Sequence, residues 1–481
     1  MLNWFKKETR RPLKRRVVVI GLDCAEPSLM FEKFAGQLPT LDRLRSQGAF
    51  GKLESVIPAI TVPAWSCMTS GKDPGALGIY GFRNRSGYHY ERFTIANGKA
   101  VLEPRLWDIL SNYGKRSIVL NVPGTFPAHP INGEMVTCFL TPDAQSDFTY
   151  PLALRDEIHQ ITPEYPFDVK DFRTENKAWL IEQVTAMTRT HFATARHLAE
   201  TRDWDLFMMV EIGLDRMHHA LWAHMDSEHR HYVTNSPFQH AIRDYYQLLD
   251  AEIAQLMSAC QKEGTETVFL VVSDHGGQRM EGGVCLNEWL IQEGYLVLKT
   301  PVNPSQGVVK FDQLDIDWSK TRAWGEGGYY GRLFLNIAGR EPQGVIAPVD
   351  VPSVIEEIRQ KLSAMTDDNG KFIGTRCFQP QELYAEVNGI PPDLLIYFGD
   401  LAWRSIGSVG WNRILVYEND TGPDDANHAQ QGLILYYDPS QPQQGMELDG
   451  AHIQQVAPTV LDLLNIEIPK GMPKPSLRSL F

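Results

Sequence analysis

The chain has 481 residues and a net charge of −13, and 43% of its residues are hydrophobic and 22% charged. This composition is typical of a soluble globular protein with one large domain carrying insertions, or with two domains. The negative charge argues against a general nucleic-acid-binding surface, because phosphate backbones are bound by basic patches. Six scattered cysteines without a C-x-x-C pair predict reduced thiols and a cytoplasmic location.

The chain begins with a basic segment, which predicts a solvated tail over residues 1–15. The apolar run after it ends at Asp23, so it is too short for a signal-peptide core or a membrane span. We expect no transmembrane segment later in the chain either. Contact between the tail and an anionic membrane surface is the alternative for this segment.

The predicted core begins with a buried strand over residues 16–22 that ends directly at Asp23. A helix and a second strand follow, and Thr61 then opens a segment of helical pattern. Thr61 would thus lie at a helix N-terminus, where backbone N–H groups and the helix dipole favour anions.

A glycine-rich loop over residues 71–82 precedes Arg83 and Arg85. Guanidinium groups bind phosphate oxygens well, so both arginines are candidates for substrate binding, with an ordinary surface position as the alternative. Further strands are predicted at 117–123 and 135–141. Residues 150–200 have a polar helical pattern, which indicates an insertion near the mouth of a site.

A buried strand over residues 204–213 leads directly into Asp215 and His219. These two residues are four positions apart, so on a helix both side chains point the same way, as two ligands of one ion must. His218 points elsewhere on that helix, and we expect it to pack in the core or to support a ligand. The D-x-x-x-H spacing alone is common and more often has a structural role.

The apolar run at residues 268–272 predicts a strand buried on both faces, as in a parallel sheet. It is followed by Asp274, His275 and two glycines. Sites in open α/β sheets form outside the carboxyl ends of strands, and both side chains are good ligands for zinc or a similar cation. An ordinary turn is the alternative.

The pattern becomes less regular after residue 279, which predicts an inserted smaller cap over residues 280–390. The core would therefore comprise residues 16–279 and 391–481, built as an α/β fold around a mostly parallel sheet. In the second core segment His428 precedes another buried strand, and residues 456–466 form an amphipathic helix.

In this order the motifs resemble those of the alkaline phosphatase superfamily, specifically its type I phosphodiesterase/nucleotide pyrophosphatase branch and related bacterial phosphohydrolases. The resemblance extends over roughly residues 16–470. It is carried by VVVIGLDCAEP, PAITVPAWSCMTSGKDPGALGIYGF, GLDRMHHALW, VVSDHGG, NHAQQG and VAPTVLDLLNIEIP.

The resemblance implies an alkaline-phosphatase-like three-layer fold and two divalent metal ions, with Zn²⁺ favoured over Mn²⁺ or Mg²⁺. Thr61 would be the nucleophile that attacks a small-molecule phosphate ester. The implied ligands of the first ion are Asp215, His219 and His428. Those of the second ion are Asp23, Thr61, Asp274 and His275.

A threonine hydroxyl is a poor nucleophile unless a metal or a base lowers its pKa. Two ions about 4 Å apart would hold the attacking and leaving oxygens of an in-line displacement at phosphorus. The resulting phospho-threonine would be hydrolysed by water, which predicts net retention at phosphorus. The expected reaction is hydrolysis of phosphodiester or phosphoanhydride bonds.

The sequence departs from two branches of the superfamily. Residues 61–65, TVPAW, lack the modifiable Cys or Ser and the Arg of sulfatases, which disfavours sulfate esters. Residues 77–82, LGIYGF, lack the Asn that follows His-Gly-Ile in nucleotide pyrophosphatases, so nucleotide specificity stays open. His452 is a rival for the last ligand, but His428 fits the His-x-x-x-Gly pattern.

Two alternative functions remain open at this stage. A phosphomonoesterase or a phosphotransferase could use the same metal site. A metal-stabilised binding protein without catalysis is disfavoured, because a structural zinc site needs neither an open position nor a hydroxyl group.

Overall fold

The computed structural model describes residues 13–303, 305 and 307–481, so most of the predicted basic tail (residues 1–15) lies outside the described residues. The strands are β1 (Lys14–Leu22), β2 (Ala49–Glu54), β3 (Arg83–Arg85), β4 (Phe93–Ile95), β5 (Ser117–Leu120), β6 (Gly133–Val136), β7 (Thr149–Tyr150), β8 (Leu206–Glu211), β9 (Thr265–Val272), β10 (Gly276–Arg279), β11 (Gly282–Cys285), β12 (Ala323–Glu326), β13 (Gly331–Leu335), β14 (Arg376–Phe378), β15 (Leu394–Tyr397), β16 (Trp403–Ile406), β17 (Leu415–Val416), β18 (Ala426–Ala429), β19 (Gln431–Tyr437) and β20 (Met446–Leu448). The α-helices are α1 (Pro39–Gln47), α2 (Thr61–Ser70), α3 (Pro74–Leu77), α4 (Leu106–Asn112), α5 (Leu154–Ile161), α6 (Lys177–Thr201), α7 (Gly213–Met225), α8 (Ala241–Ala259), α9 (Leu286–Gln292), α10 (Val351–Ser363), α11 (Pro380–Leu383) and α12 (Val456–Leu463).

A nine-stranded sheet forms the centre of the protein, in the order β20-β2-β19-β9-β1-β8-β5-β6-β7. The central strands β9, β1, β8, β5 and β6 are parallel, and antiparallel pairs occur where β19 and β7 join them. Strands such as β8 are buried along their whole length, because helices cover both faces of the sheet. The predicted α/β class with a mostly parallel sheet is confirmed.

Two helical layers enclose this sheet. On one face, Val18 and Ile20 of β1 pack in a core with α1, α5, α6, α7 and α8. On the other face, Val17 and Val19 pack with α2, α4 and α12, as the alternation of side chains along a strand requires. Helix α6, predicted within a polar insertion at 150–200, is a full member of the first layer, because its apolar side is buried. No helix among the described residues is long and apolar enough to cross a membrane.

Strands β9, β1 and β8 end at the same level of the sheet. The last residue of β1 is paired with the last residue of β8, and the residue before it is paired with the last residue of β9. Asp274, Asp23 and Asp215 follow these three ends in turn. The register of the sheet therefore brings three carboxylates to one edge, where sites form in open α/β folds.

After β10 the chain builds smaller sheets with an apolar core of their own. Strand β11 pairs with β16 and β17, while β12, β13, β15 and β14 form a four-stranded antiparallel sheet. The predicted return to the core at residue 391 comes too early, because β15, β16 and β17 are hydrogen-bonded within these smaller sheets. The chain rejoins the main sheet at β19, which pairs with β9 and β2.

Candidate active site

The position of Asp23 depends on a close contact between α2 and β1. A Cβ atom at Gly21 would lie 2.3 Å from Cη2 of Trp65, so only glycine lets this indole lie across the strand. The Trp65 Nε1–H group donates a hydrogen bond of 2.7 Å to Oδ2 of Asp23. One carboxylate oxygen is thus held by the indole, and the other is left to face the site.

A first group of predicted ligands lies at the N-terminus of α7. Nε2 of His219 lies 3.3 Å from Oδ1 of Asp215, and Nε2 of His428 lies 3.6 Å from the same oxygen. His428 arrives from β18, which pairs with β10 so that it lies opposite Gly277. The structure therefore brings together the three residues predicted to hold the first ion.

The second group surrounds the imidazole of His275. Its Nε2 atom lies 3.8 Å from Oδ1 of Asp23, 3.3 Å from Oδ2 of Asp274 and 3.4 Å from the Thr61 hydroxyl. The two groups touch, since the rings of His275 and His428 are stacked with centroids 3.7 Å apart. Thr61 is the first residue of α2, as predicted from its pattern.

All three histidines use Nδ1 to donate a hydrogen bond to a protein oxygen. The acceptors are Asp424 for His219 at 2.6 Å, the Ala59 carbonyl for His428 at 2.9 Å and the Gly276 carbonyl for His275 at 3.0 Å. In the neutral form of each histidine, this arrangement selects the tautomer whose Nε2 lone pair points into the site. Metal-binding histidines are oriented in this way by their outer partners.

Four buried ligand atoms in the cluster make no hydrogen bond. They are Oδ1 of Asp23, Oδ2 of Asp274, Nε2 of His219 and Nε2 of His428. A buried polar atom without a partner costs about 1–3 kcal/mol, so four in one place call for a ligand. Carboxylate oxygens and imidazole nitrogens are the donors that Zn²⁺ and similar cations bind, and the residues present therefore fit a pair of divalent ions.

The electrostatics of the cluster agree with this fit. Burial raises the pKa of the Asp23 and Asp274 carboxyls well above the ordinary value, and the nearby carboxylates raise both further. Burial lowers the pKa of His275 and His428, so these imidazoles are neutral, which is the form that binds a metal. The ionised forms of Asp23 and Asp274 therefore become favourable only when positive charge, such as that of bound cations, is added beside them.

Asp424 was not singled out from the sequence, yet it orients His219. It accepts the 2.6 Å hydrogen bond from His219 Nδ1 and pairs with Arg173 and Arg404, each at 3.0 Å. Burial lowers the pKa of His219, but Asp424, together with Tyr329 and Asp215, outweighs burial and holds that pKa well above its ordinary value.

Replacing Asp424 by asparagine should weaken metal binding by about 10- to 100-fold, because the imidazole loses the carboxylate that orients it and raises its basicity. The change is measured by competition for the metal with a chromogenic chelator. Asp425→Asn is the matched control, since its carboxylate accepts a hydrogen bond from the Ala223 amide instead. Equal metal affinities of the two variants would contradict this role of Asp424.

A cleft of about 360 Å³ opens beside the cluster, with Ile60, the residue before Thr61, in its wall. Its lining combines arginines with aromatic rings from both the core and the smaller sheets. The arginines are Arg83, Arg173, Arg216, Arg332 and Arg404, and the rings are those of Phe82, Phe139, Phe172, Tyr329 and Tyr330. Among the lining residues, Ile60 precedes Thr61, Arg216 is hydrogen-bonded to Asp215 and Tyr329 stacks on His428, so the cleft adjoins the ligand cluster.

The two arginines proposed from the sequence to bind substrate have different environments in the structure. Arg83 is exposed and lines the cleft. Arg85 is buried and forms an ion pair of 3.1 Å with Glu341, whose carboxylate is also fully buried. Arg85 therefore does not line the cleft, because a segment of the smaller sheets covers it.

Other residues weighed from the sequence take ordinary roles. His218 is buried between Trp222 and Tyr246, as expected for packing. His452 caps a short turn by accepting a hydrogen bond from the Gln454 amide. Arg216 was overlooked, although it directly follows Asp215 and donates a hydrogen bond of 2.5 Å to its Oδ2 atom.

The comparisons with known proteins agree with this geometry. The model of the family described as type I phosphodiesterase/nucleotide pyrophosphatase matches residues 17–428. No curated protein sequence matches the chain significantly.

Among solved structures, human ectonucleotide pyrophosphatase/phosphodiesterase 5 is 12% identical with a TM-score of 0.57, over 97% of this chain and 99% of that one. An inactive threonine-to-alanine variant of the murine protein in complex with AMP is 12% identical with a TM-score of 0.56, over 95% and 96% of the two chains. Phosphonoacetate hydrolase from Sinorhizobium meliloti in complex with phosphonoformate is 14% identical with a TM-score of 0.56, over 94% and 96%. These likenesses show a shared alkaline-phosphatase-like fold. With a family match over most of its length, the chain belongs to the type I phosphodiesterase/nucleotide pyrophosphatase family of hydrolases, within the alkaline phosphatase superfamily.

Proposed function

We propose that this chain is a phosphohydrolase that uses two divalent cations to cleave phosphodiester or phosphoanhydride bonds through a phospho-threonine at Thr61. The observation that carries the proposal is the set of four unpartnered ligand atoms buried beside the Thr61 hydroxyl. Zn²⁺ is the favoured cation, since three carboxylates and three imidazoles suit it, and Mn²⁺ and Mg²⁺ are the alternatives. The six cysteines, all buried and unpaired, support a cytoplasmic location.

The expected metal ligands form two sets, one for each cation. Asp215, His219 and His428 would hold one cation. Asp23, Asp274 and His275 would hold the other together with the Thr61 oxygen. When bound, the cations supply the positive charge that lowers the pKa of the threonine hydroxyl and balances the charge of the phosphoryl oxygens.

In this proposal Thr61 attacks phosphorus in line with the leaving oxygen. Thr61 is the first residue of α2, and the Val62 amide that follows it has no acceptor within the helix, so this one N–H group can receive a phosphoryl oxygen. Pro63 has no N–H group, and the Ala64 amide donates to the Ile60 carbonyl. Attack forms the phospho-threonine ester and releases the first alcohol or phosphate. Water then hydrolyses this ester at phosphorus, and the two inversions give net retention. Inactivity of the threonine-to-alanine variant of the murine relative supports the same role for Thr61.

A phosphomonoesterase is the second candidate, because the cleft is rich in arginine. A monoester dianion needs extra positive charge close to Thr61. The arginine nearest the ligands, Arg216, is however paired with both Asp168 and Asp215. Its charge is largely balanced within the protein, which favours substrates with a single negative charge at the reacting phosphorus.

We therefore expect the purified, Zn²⁺-loaded protein to hydrolyse bis(4-nitrophenyl) phosphate with a kcat/KM at least about 10-fold above that for 4-nitrophenyl phosphate, a difference of about 1.4 kcal/mol in transition-state stabilisation. ATP serves as the phosphoanhydride probe, and the series is repeated with Mn²⁺ and Mg²⁺. A preference for the monoester would select the second candidate. No hydrolysis of any of these substrates with any of the cations would end the proposal.

A further inference from the structure

The cleft concentrates positive charge in a chain whose net charge is −13. Five arginines line it, from β3, the loop before α6, α7, β13 and β16. Guanidinium groups hold carboxylates and phosphates by paired hydrogen bonds, so five in one cleft indicate an anionic ligand. What they bind depends on which of them are already engaged by carboxylates of the protein.

Each of the three arginines nearest the metal-ligand cluster is paired with a carboxylate of the protein. Arg216 donates to both oxygens of Asp168 at 2.8 and 2.7 Å and to Asp215. Arg173 and Arg404 share the Asp424 carboxylate. These inner arginines therefore orient Asp215 and Asp424, and the carboxylates of Asp168, Asp215 and Asp424 balance most of their charge.

Arg173 also orients the aromatic wall of the cleft. Its Nη2 atom donates a hydrogen bond of 2.9 Å to the Tyr329 hydroxyl, and the Tyr329 ring stacks on His428 with centroids 4.0 Å apart. Tyr329 thus marks the end of the cleft that lies beside the ligand cluster, because it lines the cleft and contacts His428.

The other end carries the outer pair, Arg83 and Arg332. Arg332 donates a hydrogen bond of 2.7 Å to the Arg83 carbonyl, and its nearest carboxylate is Glu326 at 3.5 Å. Arg83 is exposed and pairs with no carboxylate among the residues that the structure describes. The outer pair therefore carries more positive charge than the protein itself balances.

We propose that the outer pair binds a second anionic group, a carboxylate or a phosphate, on the substrate of Thr61. This inference rests on the proposed function, since it assigns the end of the cleft away from the reacting phosphorus. The substrate class is a phosphate ester or anhydride whose alcohol portion carries its own negative charge, with an apolar stretch against Phe82 and Phe139 between the two anions. A cleft of about 360 Å³ has room for such a small molecule.

The test compares 4-nitrophenyl phosphodiesters that differ only in the second alcohol. The 2-carboxyethyl and 2-phosphooxyethyl esters carry the second anion in its two forms, the 2-carbamoylethyl ester is neutral and the 2-aminoethyl ester is cationic. The wild-type protein should prefer the anionic esters to the neutral one by about 10- to 100-fold in kcat/KM, as expected for charge-assisted hydrogen bonds. The ratio between the two anionic esters tells which anion the outer pair recognises.

Variants of the outer pair test whether these arginines cause the preference for anionic esters. Arg83→Gln should remove most of this preference, measured in the variant as the ratio of kcat/KM for the anionic esters to kcat/KM for the neutral ester. Arg83→Glu should favour the 2-aminoethyl ester instead. Arg332→Gln should reduce the preference as well. Arg243→Gln is the matched control, because Arg243 is a surface arginine on α8 that pairs with its neighbour Asp244.

A binding measurement separates failure of this inference from failure of the proposed function. Calorimetric titration of the Zn²⁺-loaded protein with 2-carboxyethylphosphonate and with ethylphosphonate should show tighter binding of the former, and Arg83→Gln should abolish the difference. Hydrolysis of all esters at equal rates, unchanged in Arg83→Gln, would overturn the inference and leave the proposed function standing. A preference for bulky aromatic esters regardless of their charge would overturn it too, since stacking would then dominate. Absence of hydrolysis together with an Arg83-dependent preference in binding would overturn the proposed function and leave the anion site.

Discussion

Replacement of Thr61 by alanine is expected to lower kcat by about 10⁴-fold or more, the effect typical of removing a nucleophile. The hydroxyl lies 3.4 Å from Nε2 of His275 at the start of α2, and among the described residues no other hydroxyl makes a hydrogen bond to the side chain of a predicted ligand. Metal binding should largely persist, because six carboxylate and imidazole ligands remain. Steady-state kinetics and elemental analysis of the same preparation measure the two effects together.

Two controls make the Thr61 result specific. Thr61→Ser keeps a hydroxyl and should retain measurable turnover. Thr190→Ala removes a half-buried threonine of α6 whose hydroxyl donates only to the Ala186 carbonyl, so it should behave like the wild type. Acid quenching during turnover should yield a phosphorylated peptide containing Thr61 in the wild-type protein and none in the alanine variant. Turnover that survives in Thr61→Ala would show that another group attacks phosphorus.

The central part of the fold can be predicted from the sequence, because the patterns that indicate it lie within short segments of the chain. Strands β1, β8 and β9 are apolar on both faces and end at polar residues, which predicts parallel strands and one shared edge. The Asp215–His219 spacing and the position of Thr61 at a helix start are local as well. Once these elements are placed, the parallel arrangement of the strands brings the side chains that follow them to the same edge of the sheet.

Features that depend on contacts between distant segments were not predictable in this way. Arg83 and Arg85 look equivalent in the sequence, but Glu341 arrives from the smaller sheets, 256 positions along the chain, and buries Arg85. Asp424 has no strand end or spacing signal, and its role depends on the distance to His219 in space. The end of the smaller sheets was misplaced because β15 is a buried apolar strand that pairs with β13 and β14 and not with the core.

Removal of the metal ions should both abolish activity and destabilise the fold. Ligands that bind only the folded state stabilise it by about 2.7 kcal/mol for each ion present at 100 times its dissociation constant. Chelation should therefore lower the midpoint of thermal unfolding, and addition of Zn²⁺ should restore both the midpoint and the activity. Differential scanning calorimetry and a phosphodiester assay on the same samples measure the two responses. A midpoint insensitive to chelation would mean that the carboxylates are not held by cations.

The variant Asp274→Asn should change the stability of the metal-free protein and the stabilisation by bound metal in opposite directions. Without metal, burial and the nearby Asp23 carboxylate hold the pKa of Asp274 above its unfolded-state value, so the folded chain loses stability as the pH rises from that value through the folded-state pKa. Asparagine removes the buried charge, and at mildly alkaline pH it should stabilise the metal-free protein by on the order of 1 kcal/mol. With metal, asparagine is a weaker ligand, so the variant should gain less from Zn²⁺ than the wild type does. Asp449→Asn, an exposed carboxylate far from the site along the chain, should change neither value. Destabilisation of the metal-free protein by Asp274→Asn would show instead that this carboxylate is stabilised by the chain alone, without need of a bound cation.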